Sequence, residues 1–396
     1  MLVQKIFLAL FVLLEGEVSC DAEDNDTKLA QAHNRFGLNL LQEMSREMPK
    51  SNLFFSPTSI SVALAMVYAG AKGKSEAELS TALGHTAAGL SSRESVLASY
   101  EKILKGLQTD HNVTLDVADV VLVQKKLKVL ESYRKELVDR FGAKFQSVDF
   151  AAEGSAATAE INEWVKSKTR GKILDIAGKE ISANTAMVIL NAVYFKGLWE
   201  TPFNPKYIFS SSFYNSGSKK VEVKYMTLRA RLPYTFEPDL KSEAIELSYR
   251  GKGHSMIIVL PRERKGLAEL RNAMTVERMS KLHRSLKEMG IRITLPKFDL
   301  KTESGLVPAL KKLGVGSIFE HADLSGITED KGLTVSEVKH KAAIEVNEEG
   351  TVASAATKVV MAKSAPLFFF VDHPFLFYIR EKATGRVLFL GEVHEL

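Results

Sequence analysis

One cysteine, Cys20, occurs in 396 residues. No disulfide can close within the chain, so a packed core has to hold the entire fold. The N-terminus, MLVQKIFLALFVLLEGEVSC, sets Lys5 ahead of a short apolar run from Ile6 to Leu14, with small residues around Ser19 and Cys20. That pattern predicts a secretory leader over residues 1–20, cut after Cys20. The run is shorter than the roughly 20 apolar residues that cross a bilayer, and no later stretch reaches that length without charges. The expected product is therefore an exported protein with no membrane partner. Its acidic start, DAEDND, reads as part of a flexible tail over 21–28, with the folded domain beginning at Leu29 and running to 396. Such a chain would enter an oxidising compartment without any cysteine, and its 45% hydrophobic content supplies an ample core.

The formal charge of the whole chain is +5, too weak a field to imply a nucleic-acid partner. A glycosaminoglycan would find one basic cluster in Lys125, Lys126, Lys128, Arg134 and Lys135. Glu131 and Glu136 interrupt it, which favours a solvated helix face. Two N-glycosylation sequons begin at Asn25 and Asn112, and they gain meaning if the chain is exported.

Apolar residues at helical spacing, including Leu29, Phe36, Leu40, Leu41 and Met44, predict a long amphipathic helix over Leu29 to Met48. A second helix should follow the Ser56-Pro57 turn, and Ser75 with Glu78 has the spacing of a capping box at the start of a third. Further amphipathic stretches span Ser95 to Leu107, Leu130 to Phe141 and Ala156 to Lys168. From Val113 onward β-branched runs appear: VTLDVADVVLV, MVILNAVYF, HSMIIVLP, RITLPKF and KAAIEV, then FLFYIR and RVLFLGEV across an Ala383-Thr384-Gly385 turn. Helices crowd the first half and strands the second. With no repeat or composition break, this is one α+β domain.

Catalytic motifs are missing. The sequence has no HExxH, CxxC or GxSxG, and its nine histidines are scattered rather than set at ligand spacing, so neither a metal nor a cofactor is expected. Gly70-Ala71-Lys72-Gly73-Lys74-Ser75 resembles the end of a phosphate loop, but the first glycine it needs would fall at Tyr68. It reads as a turn between helices. Asp372-His373, or His340 near Ser336, offers fragments of a hydrolase site without the rest of one.

The informative segment is NEEGTVASAATKVVMAKSAP, residues 347–366. Its first half is almost entirely Gly, Ala, Ser, Thr and Val, as in a flexible linker. It also alternates, Thr351, Ala353, Ala355 and Thr357 against Val352, Ser354, Ala356 and Lys358, with small side chains on both faces. Such a segment can sit in solvent and also slip between strands at little steric cost.

EEGTVASAAT resembles the hinge of the reactive-centre loop in inhibitory serpins. Five further stretches resemble family motifs in the same order: NLFFSPTSI from Asn52, NAVYFKGLWETPF from Asn191, ADLSGI from Ala322, VKHKAAIEVNEEGT from Val338 and VDHPFLFYI from Val371. The likeness spans the chain from about Leu29 to its end, and is greatest to serpins secreted by blood-feeding arthropods. It implies three β-sheets with eight or nine helices and an exposed loop over 347–366. It also implies a monomer that an extracellular serine protease cleaves once, forming a covalent complex as the cut loop enters the main sheet. The hinge would be Glu348, Glu349, Gly350, Thr351, Val352, Ala353, Ser354, Ala355, Ala356 and Thr357. Ser56, Ser59, Asn191 and His340 map to the polar shutter beneath the sheet, and Trp199 to the breach where the loop enters.

Two departures from the family pattern matter. Val352 stands where an acid is common. The stretch from Gly350 to Pro374 is one residue short, so counting from the hinge puts the scissile bond after Ser364, and counting back from VDHPF puts it after Lys363. Lys363-Ser364 is preferred because a trypsin-like pocket rewards a basic side chain. Met361, Leu367 or Phe368 would suit chymotrypsin-like enzymes. The alternative reading is a non-inhibitory serpin acting as carrier, storage protein or chaperone, against which the small hinge residues argue.

Overall fold

The computed structural model describes residues 2–109, 113–178, 181–349 and 366–396, with side chains from residue 25 onward except 108 and 109. Among these residues the helices are α1 (Leu2–Glu47), α2 (Pro57–Tyr68), α3 (Gly73–Leu83), α4 (Arg93–Thr109), α5 (Glu131–Phe141), α6 (Phe150–Lys168), α7 (Leu267–Ala273), α8 (Val276–Ser285), α9 (Val307–Lys312) and α10 (Ser317–Glu320). That is ten rather than eight or nine, because two short turns of helix, α9 and α10, follow one another late in the chain.

The strands are β1 (Leu53–Phe55), β2 (Val113–Gln124), β3 (Lys144–Val148), β4 (Met187–Gly197), β5 (Phe209–Asn215), β6 (Lys219–Glu237), β7 (Ser242–Ser248), β8 (His254–Pro261), β9 (Lys287–Pro296), β10 (Phe298–Gly305), β11 (Glu337–Val346), β12 (Leu367–Phe370), β13 (Phe375–Glu381) and β14 (Val387–Val393). They form a five-stranded sheet, β10-β11-β4-β2-β3, and a larger one ordered β1-β14-β13-β8-β7-β6-β9-β12, with β5 also on β6. The three sheets of the family are accounted for by β6. Its 19 residues pair with β5, β9 and β7 in succession, joining two strand groups into one continuous ladder.

The sequence patterns explain the layering. Along β2, Ala118, Val120 and Leu122 pack under α6, while Val121 and Val123 face the helices on the other side. From Met187 to Phe195 β4 is buried on both faces and accordingly reads as an unbroken apolar run apart from Asn191. Another core fills the space between the two sheets and is rich in aromatics, among them Phe54, Phe195, Phe213, Phe377 and Phe389.

α1 spans Leu2–Glu47 and so includes the helix expected from Leu29, and Asp26 forms an ion pair with Lys102 on α4. One local expectation fails for a tertiary reason: the capping box at Ser75 and Glu78 is absent. α3 begins earlier, at Gly73, and Ser75 Oγ instead accepts from the Asp323 amide while Glu78 Oε2 accepts from the amides of Gly316 and Ser317. Those side chains tie α3 to the segment around α10. Of the stretch Gly70 to Ser75, only Gly70 to Lys72 lie between the helices, and Gly73 to Ser75 open α3.

Candidate functional site

The five-stranded sheet contains a seam. β2 and β4 are antiparallel, but β4 and β11 run parallel, from Val188 beside Glu337 to Phe195 beside Ile344. Beyond Ile344 the ladder stops, and the chain from Asn347 to Glu349 turns toward Trp199.

A row of polar residues crosses the middle of this sheet. Asp119 on β2 lies opposite Asn191 on β4, and Asn191 lies beside His340 on β11. All three are buried. α2 meets the row from below, because Pro57 at its first turn leaves Ser56 as the N-cap, whose Oγ accepts from the Ser59 amide at 3.0 Å. The Ser56 amide donates to His340 Nε2 at 3.1 Å. That bond fixes the tautomer: the proton sits on Nδ1 and is donated to Asn191 Oδ1 at 2.5 Å. Asn191 Nδ2 then donates to Ser59 Oγ at 2.7 Å and to Asp119 Oδ1 at 2.5 Å. One amide side chain therefore links three partners, His340, Ser59 and Asp119, across the seam.

Burial sets the ionisation of this row. Desolvation holds the His340 imidazole down at about 3, so the ring is neutral. Desolvation pushes the Asp119 carboxyl up to about 7, an effect the hydrogen bond from Asn191 partly offsets. The structure thus brings Ser56, Ser59, Asn191 and His340 together and adds Asp119, which sequence reasoning passed over. Its signal was visible, since it is an acid in the middle of the otherwise apolar run ADVVLV.

At the end of the seam, Trp199 stacks on Tyr249 with centroids 4.7 Å apart and planes 11° from parallel. Its Nε1 donates to the Asn347 carbonyl at 2.9 Å, and its backbone amide donates to the Glu349 carbonyl at 3.2 Å. The Phe203 amide donates to the Glu348 carbonyl at 2.8 Å, and the Glu348 carboxylate pairs with Lys297 at 2.6 Å. Three successive residues ahead of the small-residue segment are thus clamped. Gly350, Thr351, Val352, Ala353, Ser354, Ala355, Ala356 and Thr357, with Lys363 and Ser364, lie outside the described residues. The chain re-enters at Pro366, and β12 pairs with β9 in the other sheet.

The remaining candidates fall elsewhere. Asn112 lies outside the described residues, while Asn25 is half-buried in α1 beside Gly89. Lys125 is paired with Glu153 at 2.9 Å. His373 is engaged at both nitrogens, with Asp372 at 2.6 Å and the Pro261 carbonyl at 2.7 Å, and so has a structural task. Among the described residues no group of acids, histidines and cysteines could hold a metal ion, and no helix is long and apolar enough to cross a membrane.

Comparison with known proteins agrees with this geometry. The family model described as "Serpin (serine protease inhibitor)" matches residues 31–396. Iripin-2 of Ixodes ricinus is 43% identical, over 98% of this chain and 97% of its own. Intracellular coagulation inhibitor 2 of Tachypleus tridentatus is 37% identical, over 95% and 93%. Among solved structures, human thyroxine-binding globulin complexed with thyroxine superposes with a TM-score of 0.86 at 29% identity, covering 94% of this chain and 99% of that one.

Proposed function

The chain belongs to the serpin family, protease inhibitors rather than enzymes, and on that premise we propose that it is a secreted, monomeric suicide inhibitor of a trypsin-like serine protease. The observation that carries this reading is the parallel seam between β4 and β11, with the chain leading to the loop clamped at its open end. A strand that continues from β11, turns and runs back between β11 and β4 would be antiparallel to both. It would replace one parallel ladder by two antiparallel ones, the more stable pairing per residue. The segment available, from Thr351, has side chains small enough to enter.

In this mechanism the protease serine attacks the Lys363 carbonyl. The peptide bond to Ser364 breaks, Lys363 becomes an ester on the enzyme, and the new amine at Ser364 leaves. Insertion of 351 onward then carries the ester-linked enzyme away before water can hydrolyse it. Everything from Ser364 stays with the body of the molecule until denaturation, because β13 and β14 lie in the core of the larger sheet.

The test is incubation with a panel of trypsin-like and chymotrypsin-like proteases, followed by denaturing electrophoresis and N-terminal sequencing. The expected result is a denaturant-stable complex with a trypsin-like enzyme and a fragment beginning at Ser364. A fragment beginning at Ala365 or Phe368 would move the bond and change the target class. Cleavage without any complex would favour the carrier reading, for which thyroxine-binding globulin shows that the same fold serves.

A further inference from the structure

Beside the loop's return point the larger sheet exposes an unusual face. In register across β6, β9 and β12, Leu228, Ile293 and Phe369 point inward, so their neighbours Arg229, Arg292 and Phe368 point out. Arg229 and Arg292 stand directly opposite each other, and like charges in that position repel. Arg292 lies over the Phe368 ring at 5.9 Å, but neither arginine has a carboxylate partner among the described residues. Nor can the adjoining loop provide one, since residues 350–365 contain no Asp or Glu and add Lys358 and Lys363.

Large apolar side chains collect at the same place. Phe368 is 68% exposed, Tyr207 61% and Phe370 40%, and Tyr207 and Phe368 join the two arginines around a cavity of about 470 Å³. Exposed aromatics interleaved with arginine are the composition of a protein-binding hot spot, and a folded chain seldom leaves them bare without use.

We propose that this outer face of β6, β9 and β12 is a second docking site, which reads an acidic patch on the target protease beside that enzyme's active-site cleft. The site rests on the inhibitor reading above and deepens it. Position argues for this occupant. Phe368 is four residues from Ser364, at most about 14 Å along an extended chain. A protease domain has a radius of gyration of roughly 17 Å. Any enzyme closed on Lys363-Ser364 therefore has the arginines within its reach. A trypsin-like pocket reads only Lys363, which many proteases would accept, whereas a matching acidic patch separates enzymes of equal primary specificity.

The experiment measures the association rate with whichever serine protease forms the covalent complex, at 50 mM and 500 mM NaCl. It compares the unchanged protein with the double variant Arg229→Glu/Arg292→Glu and with Arg229→Lys/Arg292→Lys. The Glu pair should slow association at least tenfold at 50 mM, leave unchanged the number of inhibitors consumed per enzyme inactivated, and lose most of its effect at 500 mM. The Lys pair should retain most of the rate. Equal rates for all three proteins at low salt would overturn the site. So would a slower rate accompanied by more inhibitor consumed, which would mean a disturbed loop. A deficit seen only when heparin is added would assign the arginines to a polyanion and likewise overturn it. If the unchanged protein traps no protease at all, it is the inhibitor reading that falls.

Discussion

The two sheets of this molecule are held by different physics at their centres. In the larger one, β13 lies antiparallel between β8 and β14, and Phe54 stacks on Phe389 at 5.1 Å and on Phe377 at 5.8 Å. Opening that arrangement would expose several rings at once, each worth a few kcal/mol of buried area. In the smaller sheet the central pair, β4 and β11, is parallel, and the side chains along it include Ala192, Ala342 and Ala343 with Asn191 and His340. Large apolar pairs across that line, Ile189 with Val338 and Phe195 with Ile344, flank this small and polar middle. Under the proposed mechanism its hydrogen bonds are remade to an incoming strand, so parting it costs a barrier rather than a permanent loss. On that proposal one sheet serves as a frame and the other as a slot.

The largest effect that would test this contrast is loop cleavage. A cut within 358–363 frees the segment from Thr351 to insert, adding roughly ten net hydrogen bonds at about 1 kcal/mol each, on the order of 10 kcal/mol. The thermal midpoint should rise markedly. Amides of β4 and β11 should become far more protected from hydrogen exchange while those of β13 and β14 change little. Coincident melting curves for cut and uncut protein would mean the slot does not open.

A smaller intervention works on rate. Thr351 is the first hinge side chain that would turn into the seam past Trp199, and Thr351→Arg would carry an unpaired charge into a packed interior. Every 1.4 kcal/mol added to that step slows insertion about tenfold against hydrolysis of the ester. The variant should fold, be cut at the same bond and release active protease, so many more inhibitor molecules are consumed per enzyme trapped. Val352→Glu, on the opposite side of the alternation, should stay inhibitory. If Thr351→Arg traps protease as efficiently as the unchanged chain, insertion from this hinge is not the mechanism.

Much of the fold could be read in the residues. The long helix over 29–48, the turn at Ser56-Pro57, and strands such as HSMIIVLP and FLFYIR sit where periodicity placed them. What could not be read is informative. β6 was missed although KKVEVKYMTLRARLPYTFE alternates, because a 19-residue strand serving three partners has no local signature beyond that alternation. Ser75 and Glu78 matched a local motif but serve distant backbone, a choice made by tertiary packing. At the seam, Ser56, Ser59, Asn191 and His340 were assembled only through family likeness, since nothing in their spacing brings them together. Asp119 belongs with them and was overlooked, because pairing between β2 and β4 is invisible until the register is known.

Asp119 offers the subtlest test of the slot. Its carboxyl titrates at about 7 in the folded chain, against an ordinary 3.8, with burial the main cause. Between those values the folded protein keeps a proton that the unfolded chain has released, so this group's contribution to stability falls as pH rises from about 4 to 7. His340 acts in the opposite sense. Its ring titrates at about 3 against 6.5, so the unfolded chain binds the extra proton and stability falls as pH drops from 6.5 toward 3. From pH 4 to 6.5 the two slopes oppose one another, and above 6.5 only the cost of ionising Asp119 remains. Asp119→Asn should remove that cost while keeping a partner for the Asn191 amide. At pH 8 the variant should melt higher by at least roughly 1 °C, the scale of about 1 kcal/mol in a domain of this length. The difference should shrink as pH falls from 7 and vanish only near pH 4, where the unfolded chain's carboxyl is protonated as well. The variant's stability should then rise with pH up to 6.5 and stay level, exposing the slope that belongs to His340. Melting midpoints for both proteins across pH 4 to 8 decide the matter. If the two curves run parallel throughout, Asp119 does not change its charge in this row, and the middle of the slot is insensitive to pH.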